Sequence, residues 1–209
     1  MLRRAVACFL QQTYQPCELV LVHQADDAHT LDYLATLDVP SIRTVEVPAS
    51  PRLNVGALRN ISLQAAHGHY VAVWDDDDWH APTRLAEQIS AISSTGMQGC
   101  ILARLTLYDE TTRSAFLSAR RLWENCLVAE RTAVPNYPDL PRGSDTPVIG
   151  NMAMASKLVT IDRPDLYTYI YHGKNVWNRA HWENNLLPHA QSMTRSETEL
   201  VESLLDHHQ

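Results

Sequence analysis

The sequence predicts an α/β fold, a mainly parallel sheet with helices on both faces. Three features of the 209-residue chain carry that expectation. Apolar runs alternate with segments of helical periodicity through the first half, the strand–helix–strand order of a parallel sheet. The runs are dense in Val, Leu and Ile, as in strands covered on both sides. One of them, "YVAVW", ends in four consecutive aspartates, Asp75–Asp78. Open α/β sheets bind ligands beyond the carboxyl ends of their strands, and the acidic run falls there.

The elements follow in order. "LRRAVACFLQQ" sets Leu2, Ala5, Val6, Phe9 and Leu10 on one helical face, the i, i+3, i+4 spacing of an amphipathic helix. "CELVLVH" (17–23) reads as a buried strand, "TLDYLATL" (30–37) as a short helix and "IRTVEV" (42–47) as a second strand. "NVGALRNISLQAAHG" (54–68) places Leu58, Ile61 and Ala65 together, with Gly68 as a stop signal. "YVAVW" (70–74) is the third strand. "PTRLAEQISAI" (82–92) turns Leu85, Ile89 and Ile92 inward, and Pro82 suits a first turn. Right-handed crossovers would set these helices on both faces.

The second half reads differently. "CILARLTLY" (100–108) and "RSAFLSA" (113–119) form a hairpin pattern, and 125–131 a further strand. Residues 144–156 read as a helix, and 158–162 and 166–172 as short strands. "SETE" (196–199) is a capping-box pattern ahead of Leu200, Val201, Leu204 and Leu205. The expected organisation is one domain over 1–185 and a tail with a short helix over 186–209.

Composition narrows the function. Hydrophobic residues make up 45%, charged residues 20%, and the net charge is -7. An acidic chain lacks the basic face that a nucleic-acid backbone demands, so no nucleic-acid partner is expected. Cys8, Cys17, Cys100 and Cys126 form no CxxC pair and match no zinc spacing. They read as reduced thiols of a cytoplasmic protein. No run reaches the roughly 18 apolar residues of a membrane span, and there is no signal-peptide pattern. His207 and His208 are given no role.

Four adjacent carboxylates repel: a unit-charge pair about 4 Å apart costs roughly 4 kcal/mol at an effective dielectric of 20. A solvated acidic turn is the plain reading. A hard divalent cation, Mn2+ or Mg2+, held by one or two carboxylates plus substrate phosphates is the functional one.

The stretch "NVGALRNISLQAAHGHYVAVWDDDDWHAPTRLAEQ" resembles the middle of a family 2 glycosyltransferase with the glycosyltransferase-A fold. In that family an N-x-G-x-x-x-A-R-N helix, a G-x-Y turn, an apolar strand and a D-x-D motif follow in this order. Asn54, Gly56, Arg59 and Asn60 match the first element, with Leu58 where a small residue is usual. Gly68 and Tyr70 match the turn. Asp75, Asp77 and Asp78 match the acidic motif, with Asp76 at its variable position, and Pro82, Leu85 and Gln88 match the helix that follows. "RRLWENCLVAERTAV", "YPDLPRGSDTPVI" and "TIDRPDLYTYIYHGKNVW" resemble later parts of the family.

The resemblance implies a Rossmann-like fold and transfer of a sugar from a nucleoside-diphosphate donor to an acceptor hydroxyl, metal-dependent and inverting. It places Asp75 and Asp77, with His172, at the metal, and Arg59, Asn60, Asp75 and Asp76 on the donor side. Asp145 is the general base in an R-G-S-D-T setting, where Ser144 replaces a common second acid. Trp123 and Glu124 border the acceptor pocket. Plainer readings stand beside each: Ser144 and Asp145 cap a helix, His172 is bonded at a strand end, Arg59 is an exposed helix arginine, and Trp79 packs. A glycan or lipid-linked acceptor, with attachment to the inner face of a membrane, is compatible with the resemblance, as is an oligomer.

Two departures qualify it. The family opens on a strand with a P-x-Y-N-like turn, whereas this sequence opens on the next helix. The second strand of the family ends in V-D-D-G-S, whereas this one reads "LVHQADD", with His23 and Gln24 in place of the acids and Asp26 and Asp27 out of register. A start placed too late, a decayed gene or a gap filled by dimerisation each fits. The alternative function is therefore an inactive, truncated relative that binds nucleotide without turnover. A metal-dependent phosphohydrolase would account for the carboxylates alone, without the other matched segments.

Overall fold

The structure is a computed structural model that describes residues 1–206; His207 and His208 lie outside the described residues. The chain opens on α1 (Leu2–Leu10) and alternates through β1 (Leu19–Gln24), α2 (Ala28–Leu34), β2 (Ile42–Val47), α3 (Val55–Ala65) and β3 (Tyr70–Ala72). A two-residue strand, β4 (Trp79–His80), then precedes α4 (Arg84–Thr95). β5 (Gly99–Leu102), β6 (Thr106–Asp109), β7 (Ser114–Leu117) and β8 (Val128–Glu130) lead to α5 (Asp145–Met154). β9 (Leu158–Ile161), β10 (Tyr167–Tyr171), α6 (Arg179–His181), β11 (Gln191–Ser192) and α7 (Arg195–Asp206) complete it.

The strands form three sheets. β1 and β2 pair in parallel on their own, β3-β8-β5-β9 form the second sheet, and β11-β7-β6-β10-β4 the third. Among the described residues, parallel pairing is confined to β1–β2, β5–β9 and β6–β10; the other ladders are antiparallel. The fold is thus α/β as expected, with the parallel character limited to three pairs.

The chain passes from the second sheet to the third at three places: β3 to β4, β5 to β6, and β9 to β10. This corrects the reading of 100–108 as one strand of a hairpin. Only β6 pairs with β7, while β5 lies in the other sheet between β8 and β9. Leu105 between the two strands is fully buried, so the apolar pattern resumes at once after Arg104 and concealed the crossing. The strand β4 was not expected either, since two residues carry no period.

Helix packing follows the sequence pattern. Val6 and Phe9 of α1 pack on Leu19, with Leu21 and Trp74 beside them. Leu85, Ile89 and Ile92 of α4 cover Cys100 and Val128. Val148, Ile149 and Met152 of α5 join Ile101, Leu102 and Leu107 in the main core. α3 ends at Ala65, so Gly68 lies past the cap, and its amide donates to Glu18 instead. The four cysteines are free thiols, with Cys17 alone of them not buried.

The tail is tied in: β11 pairs with β7, and Val201 and Leu205 of α7 enter the main core. Its capping box lies two residues before the expected one. Thr194 N donates to Glu197 at 2.7 Å, and Glu197 N to the Thr194 hydroxyl at 3.3 Å. Ser196 falls inside the first turn, which disqualifies it as the cap. Tyr108 Oη and Arg113 then clamp α7 through Glu202 at 2.8–2.9 Å.

Arg113 and Tyr108 hold the Glu202 carboxyl down at about 2. A depressed carboxyl contributes stability above its unfolded value, near about 4.3, and loses it as pH falls through the folded value. Glu202→Gln is therefore expected to lower Tm by about 1–3 °C at neutral pH. Thermal melts of the two proteins should converge between pH 4 and 2 (values set by about 4.3 unfolded and about 2 folded).

Candidate functional site

The acidic run spans the crossing from β3 to β4, and the four carboxylates meet four different surroundings. Asp78 turns inward and is fully buried. Its Oδ2 accepts from Tyr167 Oη at 2.5 Å and its Oδ1 from the Ile170 amide at 2.8 Å. Burial and the nearby Asp77 and Asp75 charges push its carboxyl well above the usual range. Asp78 is an anchor between the loop and β10.

Asp77 Oδ2 lies 3.2 Å from His172 Nε2 and 3.3 Å from Asn175 Nδ2. Asn175 is fixed in turn by donating to the Ile170 carbonyl at 2.8 Å. Lost hydration and the Asp75 and Asp76 charges raise the Asp77 carboxyl, partly opposed by His172. Asp76 is exposed at the tip of the loop. Asp75 Oδ1 accepts from Arg59 Nη2 at 3.1 Å.

Arg59 makes a second bond from Nη1 to Asp145 Oδ2, at 3.2 Å. Its side chain is 19% exposed, so it is no free surface arginine. Burial opposes its charge, and Asp75 and Asp145 more than offset this, raising its pKa. Asp145 opens α5, and the preceding Ser144 makes no side-chain cap. Two carboxylates seventy residues apart in sequence thus face one guanidinium.

Asn60 clamps the loop beside them. Its Nδ2 donates to the Tyr137 carbonyl and its Oδ1 accepts from the Tyr137 amide, both at 2.8 Å. Gly56 permits that approach, since a Cβ there would lie 2.1 Å from the Pro138 carbonyl oxygen. Glu124 accepts from Thr146 Oγ1 at 3.3 Å, beside Asp145, and from Arg121 at 2.7 Å. Trp123 is buried, donating from Nε1 to the Ala119 carbonyl. Trp79 is buried in the main core.

Sequence reasoning missed the cation beneath the loop. Arg84 is fully buried between the Trp74 and Tyr167 rings. It donates to His80 Nδ1 at 2.8 Å, Gln88 Oε1 at 3.0 Å and the Val73 carbonyl at 3.1 Å. Burial and Arg84 push His80 far down, so it is the neutral acceptor of that bond. The available signal was the i, i+4 spacing of His80, Arg84 and Gln88 on the face that also carries Leu85.

Among the described residues, no group of three or more His, Cys, Asp or Glu side chains is placed to hold a metal ion. The donor set is a row of hard carboxylate oxygens without a closed cage. That suits an Mg2+ or Mn2+ ion completed by phosphate oxygens rather than one held by protein alone.

Residues 1–157 match the family model described as Glycosyl transferase family 2. No curated protein sequence matches the chain. The structure of S. aureus TarS 1-349 in complex with UDP is similar at TM-score 0.63 and 13% identity, covering 81% of this chain and 56% of that one. The same fragment with UDP-GlcNAc gives 0.63 and 12%, covering 81% and 54%. GalNAc-T7 with UDP, GalNAc and Mn2+ gives 0.60 and 13%, covering 83% and 41%. These likenesses establish the glycosyltransferase-A fold, and the chain spans about half the length of the TarS fragments it matches.

The contrast between Asp77 and Asp78 is testable without substrate. Asp78→Ala strands the Tyr167 hydroxyl and the Ile170 amide and is expected to cost about 2–4 kcal/mol in denaturant unfolding. Asp77→Ala removes a carboxylate from a crowded acidic turn and is expected to leave metal-free stability unchanged or slightly raised.

Proposed function

The chain belongs to glycosyl transferase family 2, and we propose on that premise that it transfers a sugar from a nucleoside-diphosphate donor to an acceptor hydroxyl. The observation that carries the reading is the Arg59 bridge. It sets Asp145, at the head of α5, opposite Asp75 in the acidic loop. A base and a diphosphate-binding loop must flank one reacting carbon, and this is the arrangement in-line displacement needs.

Asp75 and Asp77, with His172, would hold Mn2+ or Mg2+, and Asp76 would face the donor. The ion, when bound, supplies positive charge that stabilises the departing nucleoside diphosphate. Asp145 takes the proton from the acceptor hydroxyl as its oxygen attacks the anomeric carbon, with inversion. Arg59 orients both carboxylates and lies against the donor side. Asn60 acts there through the Tyr137 loop it clamps. Trp123 and Glu124 sit on the acceptor side next to α5. A surface-glycan product, a hexosyl group as the unit moved and a glycan or lipid-linked acceptor belong to the same reading. Among the described residues no helix is long and apolar enough to cross a membrane.

A second reading has one observation in its favour. The β1–β2 pair stands apart from the sheet that carries the acidic loop, which suits a relative that binds nucleotide without turnover.

Calorimetric titration with UDP, with and without Mn2+, separates these. Metal-dependent binding that is lost in Asp77→Ala is expected, and binding indifferent to Mn2+ and to chelator would end the metal role. Asp145→Asn is expected to keep donor affinity and lower transfer by about 10²–10⁴-fold. Undiminished transfer by that variant would exclude Asp145 as base. Tight UDP binding with no transfer to any acceptor would favour the second reading.

A further inference from the structure

On the acceptor side a chain of contacts leaves Asp145 and returns to it. Thr146, next to Asp145, donates from Oγ1 to Glu124 at 3.3 Å, and Glu124 accepts from Arg121 Nη2 at 2.7 Å. Burial and the Arg121 charge both lower the His181 pKa, so that imidazole is uncharged at neutral pH. The His181 ring stacks on Trp177, with centroids 4.3 Å apart and planes at 24°. The Arg142 guanidinium lies 5.8 Å from the centre of the Trp177 ring. Gly143, at φ +64°, then turns the chain into Ser144 and Asp145.

The charges along this circuit do not balance. Glu124 offsets Arg121, His181 is uncharged, and Asp145 is bridged to Arg59. Arg142 is exposed, and among the described residues its side chain has no carboxylate or hydrogen-bond partner, although the chain carries a net charge of -7. What holds it is the Trp177 ring, whose quadrupole attracts a cation. A contact with a ring uses no hydrogen-bond acceptor, so the N–H fork that matches a carboxylate or phosphate stays unoccupied. Trp177 is itself 39% exposed and follows the His172–Asn175 turn that meets Asp77. The Arg142–Trp177 pair therefore joins the segment leading to Asp145 with the segment that contacts the acidic loop.

We propose that Arg142, held by Trp177, selects an acceptor that carries an anionic group, a phosphate or a carboxylate, close to its attacking hydroxyl. The inference rests on the reading of Asp145 as the base. Three residues of chain span at most about 10 Å, so an acceptor hydroxyl at Asp145 brings its neighbouring groups within reach of the Arg142 fork. An anion there accepts the two parallel hydrogen bonds that the fork offers and offsets the one unbalanced charge of the circuit. It also lies apart from the acidic loop, whose carboxylates would repel it. A neutral acceptor would leave the fork unused. Trp177 is a positioning residue, acting through the guanidinium it orients.

Calorimetric titration with glycerol 3-phosphate, glycerate and glycerol tests this, with UDP and Mn2+ saturating and again without them. The unaltered protein is expected to bind one of the two anions about tenfold or more tighter than glycerol, and the tighter anion names the charged group. Arg142→Ala should remove that preference. Arg142→Lys should retain part of it, since the charge stays and the fork is lost. Trp177→Ala should weaken anion binding about two- to fivefold, and Trp177→Phe should restore it. Arg195→Ala, which removes an exposed arginine at the start of α7, should change nothing. Equal affinity for the anions and glycerol, no binding of any of the three, or an anion preference that survives Arg142→Ala would overturn the proposal. The UDP titration separates it from the reading it rests on. Absence of UDP binding would count against sugar transfer, whereas an Arg142-dependent anion preference measured without UDP would still establish the anion site.

Discussion

Four neighbouring carboxylates can share one turn only if their charges are divided among different surroundings. The crossing from β3 to β4 achieves that division. Asp78 goes inward to Tyr167 and the Ile170 amide, Asp77 sideways to His172 and Asn175, Asp75 across to Arg59, and Asp76 outward to solvent. Beneath them, Arg84 places a buried positive charge under the loop. The repulsion that makes the run unusual as sequence is thus turned into orientation. Each side chain is aimed by what neutralises or hydrogen-bonds it.

The same crossing organises the rest of the site. β10 carries both the anchors of Asp78 and, just beyond Tyr171, the His172–Asn175 turn that meets Asp77. α3 carries Arg59 and, one residue on, Asn60, which holds Tyr137 near the start of the segment leading to Asp145. Segments distant in sequence converge where the chain passes between the second sheet and the third.

The acidic loop is firm on the side of the third sheet and open on the side of β1. Trp74 ties α1 to the end of β3 by donating to the Ala5 carbonyl at 3.0 Å, and Phe9 packs edge-on against its ring. Residues of β1 and of the stretch around β3 line a cavity of about 710 Å³.

Local pattern was enough for the α/β class, the order of the main elements and the position of the acidic run, because helical and strand periods are written in neighbouring residues. The family resemblance over 54–88 was legible for the same reason: its motifs depend on short spacings. The capping box was misplaced by two residues, since Thr194–Glu197 and Ser196–Glu199 satisfy the same pattern and only the formed turn chooses. What tertiary structure alone decided was the pairing of distant groups. Asp78 with Tyr167, Arg59 with Asp145, and the separation of β5 from β6 join or part residues by packing and hydrogen-bond geometry. Which carboxylate is buried, which is bridged and which is left to solvent depends on the sheets meeting at that loop, and no local spacing records where two sheets meet.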